Sequence, residues 1–273
     1  MSGILLHLVP SSTYALVGFI QWRLLRSSQQ GRNGNGNRTA VSILLGAALL
    51  THGYALWLDM FDGDMRHFGL AIALSLTIWL ALLMYFAESF VTRIDSLLAL
   101  AMLPAAICAF LPAVLPGNMH VPAAGWAFRL HFVAAMLAYS LFTLAALHAV
   151  MMAVAERQLH HAQLTSRIGV LPPLLTLENL LFRLIGVAFI FLTLTVGSGV
   201  LFSEQVFDKP LTLNHKTIFT IASWLLFGIL LIGRHLRGWR GRVAQRWTLA
   251  GFVCLFLAYA GSRFVLEVLL HKA

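Results

Sequence analysis

Residues 68–87 read FGLAIALSLTIWLALLMYFA, twenty positions without one charged side chain. A helix rises 1.5 Å per residue, so this run covers the ~30 Å hydrocarbon core of a bilayer. Seven further, predominantly apolar runs lie on either side of it: Ile4–Trp22, Ala40–Leu58, Ile94–Leu111, Trp126–Val154, Asn179–Phe202, Leu213–Gly233 and Trp247–Leu269. The expected fold is therefore all-α, a polytopic membrane protein of about eight transmembrane helices forming one transmembrane domain over residues 1–273. Composition points the same way. The chain is 59% apolar and 11% charged, with a mean hydropathy of +0.82, whereas soluble domains carry roughly a quarter charged residues. The fifth run is long enough to continue past the bilayer as an amphipathic helix, with Glu156, Arg157, His160 and His161 in water.

The net charge of +9 is spread over short loops between apolar runs, which excludes a folded nucleic-acid-binding surface and makes the basic residues topology signals. Strict alternation places Arg23, Arg26, Arg32, Arg38, Arg93, Arg157, Arg167, Arg183, Arg234, Arg237, Arg240, Arg242 and Arg246 on one face. The other face receives Arg66, Arg129, Lys209, Lys216, Arg263 and Lys272, with the acidic cluster Asp59, Asp62 and Asp64. The richer face is cytoplasmic by the positive-inside rule, which puts both termini outside, in the periplasm of a bacterial inner (plasma) membrane protein. The first helix has its positive charges after the apolar stretch and no A-x-A-like site, so it is retained rather than cleaved. Residues 27–39, with the core Gly31-Arg-Asn-Gly-Asn-Gly-Asn37, read as a flexible cytoplasmic loop. Cys108 and Cys254 stand singly in apolar runs as packing residues, with no C-x-x-C or C-x-x-C-H pattern.

Eleven histidines remain to be explained. Counted up the second helix, His52 lies ~18 Å from the cytoplasmic side; His131 lies ~8 Å into the fifth helix from outside. His215 stands at the outer mouth of the seventh. All three fall in the outer half of the bilayer, where a titratable side chain is costly and marks a functional site; the plainer reading makes each a polar bridge between helices. If they hold a ligand, the donor set favours haem, with these histidines as iron ligands. Zinc needs four compact N, S or O donors, and no cysteine or acidic residue stands near His52 or His131. Haem needs one or two imidazoles and an apolar slot, for which Trp57, Phe61, Trp126, Phe128, Phe132, Phe202, Phe207, Phe219 and Trp224 are available. Arg129, two residues before His131, is the best of the outer cations for a propionate; snorkelling to the interface is its simpler role. His148 lies ~25 Å below His131 on the same helix and cannot share that group. His7, His120 and His271 are reserve candidates, His160 and His161 solvated surface, and His235 part of the cytoplasmic basic cluster. Arg263 and Glu267 are spaced to pair with each other. Gly197-Ser-Gly199 permits close backbone approach and leaves room for a flat ligand. No nucleophile–base pair, phosphate loop or paired-carboxylate site is present, so no enzyme activity is expected.

The segment Arg129-Leu-His-Phe-Val-Ala-Ala-Met-Leu-Ala-Tyr-Ser-Leu-Phe-Thr-Leu-Ala-Ala-Leu147 resembles the helix that opens with a haem-ligating histidine in cytochrome c assembly proteins of the CcsA/CcmC type. Ala222-Ser-Trp-Leu-Leu-Phe227, Gly238-Trp-Arg-Gly-Arg242, Ala250-Gly-Phe252 and Leu257-Ala-Tyr-Ala-Gly-Ser-Arg263 are similar to the same family, and the layout is most similar to its YpjD-like eight-helix branch. The resemblance implies a haem-handling protein with non-covalent, b-type haem. It implies His131 as the ligand before an outer loop, His52 as an intramembrane histidine, and His215 or His271 as the ligand after the loop. It also implies other cytochrome c maturation components as partners beside the lipid bilayer. Better-known members carry a W-x-W-D motif in that loop; here Ser203–Lys216 contains no tryptophan, and Asp208-Lys209 echoes only the motif's end. The alternatives from other classes are a small-molecule or metal-ion transporter using the same histidines and a non-catalytic scaffold subunit.

The charge reading has a direct test. With Cys108 and Cys254 replaced by alanine, Asn118→Cys is expected to react with a membrane-impermeant maleimide in intact spheroplasts. Asn35→Cys is expected to react only after permeabilisation, and the reverse pattern inverts the topology.

Overall fold

The computed structural model describes residues 2–28, 35–61, 69–92, 94–115, 125–160, 174–201, 214–261 and 264. Eight helices carry the chain: α1 (Ser2–Ser28), α2 (Asn35–Phe61), α3 (Leu70–Glu88), α4 (Asp95–Val114), α5 (Trp126–His160), α6 (Leu174–Leu201), α7 (His215–Arg237) and α8 (Gly241–Phe256), the last continued by a π-helical turn at Leu257–Gly261. Each is long and apolar enough to cross a membrane, and no strand occurs among the described residues. Among the described residues, each apolar run of the sequence thus lies on one helix. The helices overrun the apolar stretches: α6 starts at Leu174, α7 continues to Arg237 and α8 starts at Gly241. Hydropathy marks only the part that lipid must cover, while helical hydrogen bonding continues into the polar flanks. Helix likewise covers both flanks of segment 27–39, whose residues 29–34 lie outside the described residues.

The helices form two groups. α1 packs most extensively on α4 and also on α2; α5 packs on α6, α6 on α7, and the α7–α8 hairpin returns α8 to α5. The groups meet where α3 and α4 pack against α5. Cross-helix contacts fix the alternation of direction. At one end, the start of α1 meets the end of α2 through His7 and Asp59, and the start of α5 meets the end of α6 through His131 and Ser198. At the other, Arg38 of α2 meets Asp95 of α4, Glu178 of α6 meets Arg234 of α7, and Glu156 of α5 meets Arg242 of α8. These ends are called outer and inner below, after the charge pattern of the sequence.

Large apolar side chains cover the outside of the bundle. Leu50, Leu103, Leu130, Ile190 and Ile232 are each more than half exposed, which suits a lipid-facing surface and not an aqueous one. Inside, lipid tails are as apolar as leucine, so helices associate through close packing rather than through hydrophobic exclusion. Gly251 of α8 shows the consequence. Its backbone lies against the ring of Phe227 of α7, so a Cβ there would stand 2.8 Å from ring atom Cζ. Phe227 is fully buried and stacked on Phe142 of α5 with ring centroids 3.8 Å apart, so it cannot withdraw. At the inner end, Gly238 terminates α7 with φ +65, the left-handed conformation that favours glycine. The turn sends Trp239 back across Gly233 and onto Trp247, their ring centroids 5.2 Å apart.

Gly251→Leu is accordingly expected to cost about 1–3 kcal/mol through overpacking, read as a lower unfolding temperature in detergent. Gly186→Ala, where an added Cβ meets nothing within 4 Å, serves as the neutral control.

Candidate functional site at the outer ends of the helices

His52 is fully buried, and both ring nitrogens are engaged. Nδ1 lies 3.2 Å from Oη of Tyr14 on α1, and Nε2 lies 2.8 Å from Oγ of Ser75 on α3. A phenol donating to Nδ1 and an Nε2–H donating to the serine make one consistent tautomer. The Tyr14 ring meets the imidazole edge-on at a centroid distance of 5.6 Å. His52 therefore ties α2 to α1 and α3 at once.

Beside it, Nε2 of His7 lies 3.1 Å from Oδ2 of Asp59. His7 is 3% exposed and close enough to His52 to act on it electrostatically. From the sequence alone His7 is only a reserve candidate and Asp59 one member of an outer acidic cluster. Both residues stand near the outer ends of consecutive antiparallel helices, so equal depth is the signal that could have paired them.

His131, in the second turn of α5, is partly buried. Its Nδ1 lies 2.8 Å from Oγ of Ser198 on α6. Ser198 sits between Gly197 and Gly199, and these glycines keep the neighbouring wall low. A Cβ on Gly197 would meet nothing within 4 Å, and one on Gly199 would meet only Cε1 of His131, at 3.6 Å. Lys216 of α7 acts electrostatically on His131, and its Nζ stands 5.9 Å from the centre of the Tyr259 ring. Tyr259 in turn meets Tyr139 of α5, 6.1 Å away. Arg129 is exposed at the start of α5, and His215 is exposed as the first residue of α7. His215 is held in place by the Asn214 cap, whose Oδ1 accepts the Thr217 N–H at 3.0 Å.

His52 and His131 thus bond to different helices. Their helices α2 and α5 do meet, with α3, in an apolar cluster of Leu56, Ile72, Ala73 and Met136, rimmed by residues that include Phe132, Tyr139 and Tyr259. Leu56 stands one turn beyond His52 and Met136 little more than one turn beyond His131, with α3 between. The outer segments 62–68, 116–124, 202–213, 262–263 and 265–273 lie outside the described residues. With them go Arg66, His120, Phe202, Phe207, Lys209, the Asp208-Lys209 echo, His271 and the Arg263–Glu267 pairing. Among the described residues, no three of His, Cys, Asp and Glu converge on a metal-holding position.

Residues 41–270 match the family model described as cytochrome C assembly protein. This chain belongs to the cytochrome c assembly protein family. Across 97% of its length it is 31% identical to 96% of an uncharacterised 28.8 kDa protein of Azospirillum brasilense. A shorter match, 31% identical over 139 residues, covers 51% of this chain and 52% of the inner membrane protein YpjD of Escherichia coli. The cytochrome c biogenesis protein CcsA of Gloeobacter violaceus is 30% identical over 92 residues, 34% of this chain and 27% of that protein. No solved structure matches. Eight apolar helices and inner-membrane relatives together make this member of the cytochrome c assembly family a multi-pass inner-membrane protein.

The polar joint at His52 is testable by itself. Tyr14→Phe leaves Nδ1 of a fully buried imidazole without its partner, and a loss on the order of 1 kcal/mol is expected. In a double-mutant cycle with His52→Leu, the two losses are expected not to add; additive losses refute the joint.

Proposed function

We propose that this family member binds haem non-covalently at the outer end of α5–α8 and handles it for cytochrome c assembly, without catalytic chemistry of its own. One observation carries the reading: the His131–Ser198 hydrogen bond beside two glycines. A ligating histidine commonly gives its other ring nitrogen to a fixed polar partner, which sets the ring's orientation and tautomer. Ser198 holds Nδ1 of His131 at 2.8 Å, and the side-chain-free wall at Gly197 and Gly199 suits a flat macrocycle.

In this reading His131 and His215, the first residue of α7, would hold the haem iron. Arg129 and Lys216 would neutralise the propionates. His52 enters the ligand set only by releasing Tyr14 or Ser75, so its first role is to hold α1, α2 and α3 in register. Bound haem supplies the iron porphyrin that c-type cytochromes carry. The protein's own residues orient it, screen its charge and keep one edge toward the outer surface. Both termini face the periplasm, and the partners are other maturation components that take the haem from that side.

The visible spectrum of the full-length protein purified from haem-replete cells tests this. A b-type Soret band is expected, at least tenfold weaker in His131→Ala and shifted in Ser198→Ala. A protein without a Soret band refutes the proposal, and substrate flux through such a protein in proteoliposomes makes it a transporter. Loss of the band in His52→Ala with the fold intact moves the iron toward α2.

A further inference from the structure

The inner half of the bundle contains a second polar site that owes nothing to the haem reading. His148 of α5 is fully buried, and its Nδ1 lies 2.9 Å from the Leu144 carbonyl oxygen one turn earlier. A carbonyl only accepts, so Nδ1 carries the hydrogen. In a neutral ring Nε2 then presents a lone pair. Facing it, 3.9 Å away, is Oε1 of Glu88, the last residue of α3, whose side chain is 16% exposed. Neither carboxylate oxygen has a hydrogen-bond donor, and Nε2 has no partner either.

Three acceptor atoms therefore gather in a buried place without one donor. The helix makes the position worse for an anion. Glu88 lies at the C-terminus of α3, the negative end of the helix dipole. The Glu88 carbonyl itself accepts from the N–H groups of Val91 and Thr92, at 2.9 and 2.8 Å. Several charged groups on the surrounding elements are, among the described residues, engaged elsewhere. Asp95 of α4 pairs with Arg38 of α2; Glu178 of α6 pairs with Arg234 and Arg240; Glu156, further along α5, pairs with Arg242. The Ser89 hydroxyl donates to the Phe86 carbonyl, and Gln21 of α1 donates to the backbone of Asp95.

We propose that Glu88 and His148 form a proton-binding site, one exchangeable proton being held between the carboxylate and Nε2. The spacing selects the occupant. A water bridging two acceptors through bonds of about 2.8 Å sets them about 4.5 Å apart, too far for this pair. A structural zinc takes four donors, more than these two side chains offer. A single proton needs only a closure of about 1 Å to make a charge-assisted hydrogen bond. It also removes the conflict between the facing pair, because lone pair against carboxylate becomes imidazolium with carboxylate, or carboxylic acid with imidazole. The partly exposed Glu88 is the entrance, and it opens at the inner end, where the basic loops gather. The site joins α3 to α5, so its protonation bears on the contact between the two groups of helices.

Infrared difference spectra of the full-length protein in lipid nanodiscs, recorded between mildly alkaline and mildly acidic buffer, test the site. A carboxyl C=O band sensitive to deuterium oxide is expected, absent in Glu88→Gln and shifted in His148→Gln, whose amide donor cannot exchange the proton. If Glu88→Gln does not fold, the wild-type band must still shift when the protein is grown with isotope-labelled glutamate. A band unchanged in the two variants, or unmoved by labelled glutamate, overturns the proposal. So does a stoichiometric metal ion that co-purifies with the wild type and is lost from both variants.

Discussion

A polar group inside hydrocarbon has no water to turn to, and this rules the architecture at two scales. For the backbone it leaves the helix as the workable conformation, hence eight helices. For side chains it means that a histidine, tyrosine or serine placed at membrane depth must find its partner on a neighbouring helix. His52 finds two, Tyr14 and Ser75, and so determines how α1, α2 and α3 stand together. His131 finds Ser198 and does the same for α5 and α6. The apolar packing around them, with glycines set against rings, supplies closeness; the polar pairs supply register.

Much of this is legible in the amino-acid sequence. Hydrocarbon thickness fixes how long an apolar run must be, so the helices announce themselves, and alternation turns position along a helix into depth. Counting along α2 and α5 predicts one half of the bilayer for both His52 and His131. Depth, however, says nothing of lateral neighbours. Ser198 is 67 residues from His131, Tyr14 is 38 from His52, and neither spacing carries a periodic signal. In the sequence Ser75 is one small residue among many in an apolar helix. Gly197-Ser-Gly199 stands out as a place for close approach, but its serine acquires meaning only once α6 is known to lie on α5.

The inner end shows the same limit from the side of charge. In the sequence the arginines after the seventh apolar run form a single topology signal. Three of them have acidic partners in the fold: Arg234 and Arg240 at Glu178, and Arg242 at Glu156. Glu178 is nearly buried, and one of its oxygens also lies 3.4 Å from the N–H of Gly241 at the head of α8. A loop with the composition of surface decoration is thus fastened to the bundle, with Arg234 lying over the Phe182 ring at 4.5 Å.

The length of α5 has a mechanical consequence. Its 35 residues make a rod of about 52 Å at 1.5 Å per residue, against ~40–45 Å for a bilayer with its headgroups. A helix longer than the bilayer must tilt or reach beyond it, and near its inner end Arg242 grips it through Glu156. His131 and His148 ride on the same stiff rod. Seventeen residues, about 25 Å of helix, separate the two histidines, so on so stiff a rod neither can change its depth without the other.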